Sequence, residues 1–189
     1  MRLFQVIEME IKITRQTALR STIFIALSFA AVLMSLSYFT GTIAQPVSAQ
    51  QVFEASNMTG SKEVPPVRSA ASGSATFTNN QTVIDYDLSV SDLYNATAAH
   101  VHQGRAGANG PIVVTLYTTT DPSPGLFGGY SGNFTSAMLE GPLKGKQLSA
   151  LVDLMSKGQA YVNVHTIKNK NGEIRDQVAV SSGNTTGLL

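Results

Sequence analysis

No cysteine occurs in the 189 residues. That absence removes disulfide staples, thiolate zinc sites, iron–sulfur clusters, blue copper and cysteine nucleophiles together. The fold must instead bury a sufficient apolar core, which a domain of ordinary size can do. Charge is scarce as well, with 13 Lys and Arg against 12 Asp and Glu. No basic cluster interleaved with aromatics occurs, which argues against a nucleic-acid partner. No Gly-x-Ser-x-Gly elbow is present, so Ser/His/Asp catalysis has no support. The acids are spread along the chain, with no pair singled out to flank a sugar. Histidine is limited to three residues, and all three fall in β-type runs.

What is present begins with an apolar segment. Thr22 to Phe39 carries no charge over eighteen residues, follows Arg15 and Arg20, and leads to the small-residue stretch Gln45 to Gln50. A basic flank, an apolar run and a Val-Ser-Ala site mark residues 1–49 as a signal peptide or an N-terminal signal anchor. The length lies between the about 7 to 15 residues of a signal core and the about 17 to 25 of a bilayer span. In either case the positive flank stays inside and the rest is sent out, giving a secreted or anchored domain in an extracellular, periplasmic or pseudo-periplasmic space. Five Asn-x-Ser/Thr patterns, at Asn57, Asn80, Asn95, Asn133 and Asn184, agree with export and mark candidate glycosylation sites.

From Val52 onward, short runs rich in Val, Ile, Thr, Phe and Tyr alternate with turn residues. Strands are expected at 52–56, 74–78, 83–90, 97–103, 112–118, 130–135, 160–166 and 173–180. Ile84, Tyr86, Leu88 and Val90 share one face of the third, with Asp85, Asp87 and Ser89 on the other. Leu148 to Met155 has apolar residues at helical spacing and ends at Lys157-Gly158, a short helix that crosses one end and feeds the last histidine strand. The pattern predicts an all-β antiparallel sandwich, immunoglobulin-like or superoxide-dismutase-like, with one crossover helix. It occupies residues 50–180, and 181–189 form a polar tail.

His100 and His102 sit two apart on one strand, so both project to the same face. His165, in Tyr161-Val162-Asn163-Val164-His165-Thr166, lies on a neighbouring strand and would complete a three-histidine set suited to zinc with an open position, or to copper. Glu63, Glu173 and Asp176 are candidates for a carboxylate fourth ligand or a supporting partner. Glu173 and Arg175 share a face and could form a structural charge cluster with Glu63 or Asp176. The alternative is that the imidazoles hydrogen-bond one another and the backbone, locking strands together. Among the aromatics, Tyr130 and Phe127 are candidates for a carbohydrate or peptide surface.

The motifs Ser61-Lys62-Glu63-Val64-Pro65-Pro66-Val67, Gly73-Ser74-Ala75-Thr76-Phe77, Ala98-Ala99-His100-Val101-His102-Gln103-Gly104, Asn109-Gly110-Pro111, Gly141-Pro142-Leu143, Ala160 to Thr166 and Gly172-Glu173-Ile174-Arg175 resemble, in order and spacing, the CHRD domain, the module named from chordin. The resemblance covers about 52–180 and implies an extracellular β-rich domain without an established catalytic activity. The His-x-His strand is also locally similar to a copper-ligand strand of copper–zinc superoxide dismutase, but a copper–zinc pair needs more histidines than this chain has. The function expected is that of an exported or membrane-anchored cell-surface module, non-catalytic, whose partner is a cell-surface protein or carbohydrate and which meets the membrane only through its N-terminal segment. The alternative is a copper or zinc protein built on the three histidines, as a carrier or a metalloenzyme.

Overall fold

The computed structural model describes residues 50–122 and 124–185, and the apolar N-terminal segment lies outside the described residues. Among the described residues no helix is long and apolar enough to cross a membrane. The strands are β1 (Gln51–Thr59), β2 (Ser72–Asn79), β3 (Ile84–Ser91), β4 (Ala96–Gln103), β5 (Ile112–Thr118), β6 (Gly129–Phe134), β7 (Ala160–Thr166), β8 (Ile174–Gln177) and β9 (Ala179–Val180), with helix α1 (Leu148–Ser156) between β6 and β7. All eight predicted strands form, and the all-β antiparallel class holds.

Their order, β5-β4-β7-β8-β1-β2-β3-β6, makes one antiparallel sheet, with β9 added beside β1. Thr59 opposite Arg175 joins two halves, β5-β4-β7-β8 and β1-β2-β3-β6. One apolar cluster serves both: Phe53, Phe77, Ile84 and Leu88 from one half, Val101, Val114, Val162 and Ile174 from the other. The alternation on β3 decides its orientation, with every even residue from Ile84 to Val90 buried and every odd one exposed. Tyr86 on β3 spans the core and donates its hydroxyl to the Leu116 carbonyl of β5 at 2.6 Å. Tyr117 and Tyr130, with ring centres 5.4 Å apart, bring β6 beside β5. The two ends of the strand order thus approach one another, and the sheet nearly closes on itself.

Helix α1 buries Leu148, Leu151 and Met155. Gly158 beyond it adopts φ +62°, the left-handed conformation that ends helices and favours glycine. The predicted last strand divides in two. Val178, between β8 and β9, is fully buried and its N–H bonds to the Ala160 carbonyl rather than to β1. The tail is also more regular than its polarity suggests, since Ser182–Thr185 form a 3-10 turn.

On β7, Val162 and Val164 face the core while Tyr161, Asn163 and His165 project outward, and on β4 His100 and His102 lie across from them. The register pairs Ala98 with His165, His100 with Asn163 and His102 with Tyr161. On the far side of β7, Arg175 stands opposite Asn163 and Gln177 opposite Tyr161. The sheet thus gathers three histidines, an arginine and two amides on one outer face.

Candidate metal centre

His100, His102 and His165 meet there, one ring nitrogen of each lying within 4.8 Å of the others. Ring centres are 4.8 Å apart for His100–His165 and 5.7 Å for His100–His102. The contacts fix the proton positions. His102 Nδ1 is 2.8 Å from the Gly110 carbonyl and His165 Nδ1 is 2.9 Å from the Lys170 carbonyl. A carbonyl only accepts, so both Nδ1 atoms carry hydrogen. Burial holds the pKa of both rings below the usual range, and burial with the two neighbouring imidazoles pushes His100 down to about 4. At neutral pH all three are neutral, so His102 Nε2 and His165 Nε2 are bare lone pairs. His100 Nδ1 then donates to His165 Nε2 at 3.0 Å.

His102 Nε2 is buried and makes no hydrogen bond of ordinary geometry, its polar neighbour being the Asn163 side chain. Two imidazoles anchored at Nδ1 by backbone carbonyls, with Nε2 unprotonated, match the usual outer support of metal-ligating histidine. Tetrahedral coordination at about 2.0 to 2.1 Å sets donor atoms about 3.4 Å apart, so the rings need only close in modestly around an ion. A set of imidazoles without thiolate or thioether suits zinc or copper(II).

Around the histidines lies a layered support that the sequence did not disclose. The Tyr161 ring stacks on His102, 4.8 Å apart and 8° from parallel. Arg175 covers the other face of Tyr161, its guanidinium carbon 3.4 Å from the ring centre. Its nitrogens then donate to Asn109 Oδ1 at 3.0 Å, to the Ala108 carbonyl at 2.7 Å and to the Arg105 carbonyl at 3.2 Å. Gln177 adds bonds to the Gly104, Gly158 and Ala160 carbonyls. The glycine-rich loop 104–111 is therefore clamped, and with it the Gly110 carbonyl that orients His102. A side chain at Gly110 would strike the Gln103 carbonyl, which is why the loop needs glycine there. Tyr161, Asn163, Arg175 and Gln177 alternate in step with the histidines, and that period-two spacing was the signal available for them.

The carboxylates go elsewhere. Among the described residues none joins the histidine group, so the expected fourth carboxylate ligand is not supplied. Asp176 pairs with Lys62 at 2.6 Å and accepts from the Asn57 N–H. Glu173 accepts from Ser69 and Thr166. Arg175 makes its hydrogen bonds to neutral oxygens, not to either acid. Glu63 is only 5% exposed, with its carboxyl against Gly172 and Asn163; burial, only partly offset by the charge of Arg175, pushes its pKa up to about 7.

The CHRD family profile matches residues 55–178, from within β1 to just past β8. The chain belongs to the CHRD family. All three histidines and the Arg175 clamp fall within the matched CHRD span. Neither a curated protein nor a solved structure matches the chain.

Of the five candidate glycosylation sites, Asn57, Asn80 and Asn133 are exposed and Asn95 is half-buried. Asn80 has its amide engaged with Asp85 at 2.6 Å. The Asn184 side chain lies outside the described residues. Of the two aromatic candidates, Tyr130 is 48% exposed, while Phe127 packs on Tyr117 at 4.9 Å.

Proposed function

We propose that this protein is an exported cell-surface CHRD domain whose binding function is directed at one zinc or copper ion, held by His100, His102 and His165. The observation that carries the reading is the convergence of three imidazoles, one ring nitrogen of each within 4.8 Å of the others. Strand locking accounts for the His100–His165 bond and for the two carbonyl contacts, but does not require all three rings to converge. Export rests on the apolar N-terminal segment and the exposed Asn-x-Ser/Thr patterns. The domain supplies ligands and a rigid frame, and its role is to bind rather than to catalyse.

Elemental analysis and calorimetric titration of protein purified without a metal-binding tag test this. The expected result is one equivalent of zinc or copper per chain. His102→Ala is expected to abolish stoichiometric binding while the β signal in circular dichroism persists. The chain lacks tryptophan, so copper(II) binding is also expected to quench tyrosine emission through Tyr161. Stoichiometric binding that survives His102→Ala would sink the assignment.

A further inference from the structure

We infer that the fourth ligand of the ion is the side-chain oxygen of Asn163, and that Glu63 turns that oxygen toward the site. This deepens the metal-binding reading above and rests on it. Three imidazoles leave one tetrahedral position to fill, and among the described residues no acid joins them. The strand register sets Asn163 in the midst of the three histidines. It stands across from His100 on β4, while His102 lies across from Tyr161 and His165 follows two residues on along β7. Side chains two apart on a strand share a face, and directly opposed residues are nearest neighbours. Asn163 and the three histidines therefore rise from one patch of sheet.

Asn163 is 2% exposed, and its Oδ1 has no hydrogen-bond partner of ordinary geometry. The nitrogen end of the amide is engaged elsewhere. Nδ2 donates to the Asn171 carbonyl at 3.3 Å and lies against the Glu63 carboxyl over the backbone of Gly172, where a side chain would strike both. An amide nitrogen only donates and a carbonyl only accepts, so the nitrogen belongs on that side. The oxygen is left for the side of His102, which has the Asn163 side chain as its polar neighbour. Glu63 joins no imidazole itself; it acts through Asn163, as a positioning residue. An amide oxygen serves copper sites as a weak fourth ligand. Bound there, Asn163 also shuts out the coordinated water that catalytic zinc sites use as their reagent, which suits a centre that binds without catalysing.

The test measures zinc affinity of the full chain by competition with a chromophoric chelator. Asn163→Leu is expected to weaken zinc by about tenfold or more, the low end of what losing a supporting partner of a metal ligand costs. Asn163→Asp presents an oxygen in the same place and should bind zinc at least as tightly as the wild type. A purely structural asparagine predicts the reverse order, since a second buried acid beside Glu63 disturbs the strand more than leucine does. Glu63→Gln should weaken zinc in the otherwise wild-type chain and have no effect in the Asn163→Asp background, where both ends of the side chain are oxygens. Wild-type affinity in Asn163→Leu, or a loss in Asn163→Asp as large as in Asn163→Leu, overturns the inference. A Glu63→Gln loss that persists in the Asn163→Asp background, or no loss in either, removes the positioning role. Copper(II) gives a reading independent of affinity: relaxation of water protons should be weak in the wild type and rise in Asn163→Leu, whose open position takes up water. Equal relaxation in the two counts against the proposal. Failure of the wild type to bind zinc or copper at all would instead fell the underlying reading.

Discussion

Arg175→Met is expected to lower stability by about 3 to 5 kcal/mol, from buried acceptors left without donors and a lost cation–π contact, less the relief from burying a cation. Arg175 is 2% exposed, and its guanidinium satisfies three oxygens of the 104–111 loop while covering Tyr161. Methionine fills similar volume but leaves those acceptors without donors and removes a cation–π contact of about 0.5 to 2 kcal/mol. Relief from burying a cation offsets part of the loss. Arg175→Lys should rescue little, because an ammonium cannot reproduce the planar fork. Urea denaturation of the metal-free protein measures both. A midpoint unchanged in Arg175→Met would mean that the clamp carries no energy.

The second large effect is on the dependence of stability on pH. Glu63 has an ordinary pKa of 4.5 and a folded value of about 7. Between those values the folded protein keeps a proton that the unfolded chain has released, so stability declines as pH rises from 4.5 through 7. Discounted for solvent screening, the loss is about 2 kcal/mol. The histidines act in the opposite sense. Their folded pKa values lie below 6.5, with His100 at about 4, so the unfolded chain binds protons first and stability falls as pH drops from 6.5 towards 4. The two contributions overlap and oppose one another between pH 4.5 and 6.5. Glu63→Gln is expected to remove the contribution that declines between pH 4.5 and 7 and to leave the histidine contribution in place, as followed by chemical denaturation from pH 4 to 9. Parallel profiles for variant and wild type would remove Glu63 as the cause.

The framework was legible because its strands alternate cleanly. β3 reads apolar and polar by turns, and a half-buried strand must place those residues on opposite faces. The convergence of His100, His102 and His165 was legible for the same reason, since two period-two runs of a neighbouring strand pair expose matching faces. The division of the last strand at Val178 left no mark, because a buried valine looks alike whether its N–H serves the ladder or a turn. The Arg175 clamp was hidden for another reason: its partners are mostly backbone carbonyls of a loop, which have no side-chain signature. Glu63 misled as a ligand candidate. An acid in a proline-containing connection reads as available to an ion, yet it is Gly172, at φ +129° and with no room for a side chain, that lets this carboxyl sink against Asn163 instead. Glu173 and Asp176 were drawn off by Ser69, Thr166 and Lys62, neighbours that only the fold supplies.

The pairing of β9 with the start of β1 bears on how the domain takes mechanical load. Phe53 lies opposite Val180, and the Ser181 N–H bonds to the Val52 carbonyl at 2.9 Å. The two strands are antiparallel, so the first and last residues of the domain leave it side by side. Tension between an anchor upstream of Gln51 and a load downstream of Val180 would bypass the rest of the sheet and peel β9 from β1 one hydrogen bond at a time. Such a zipper parts at low force, whereas strands sheared along their length break all bonds together. The histidine cluster, on β4 and β7, lies outside that line of pull and would be spared while the rim gives way.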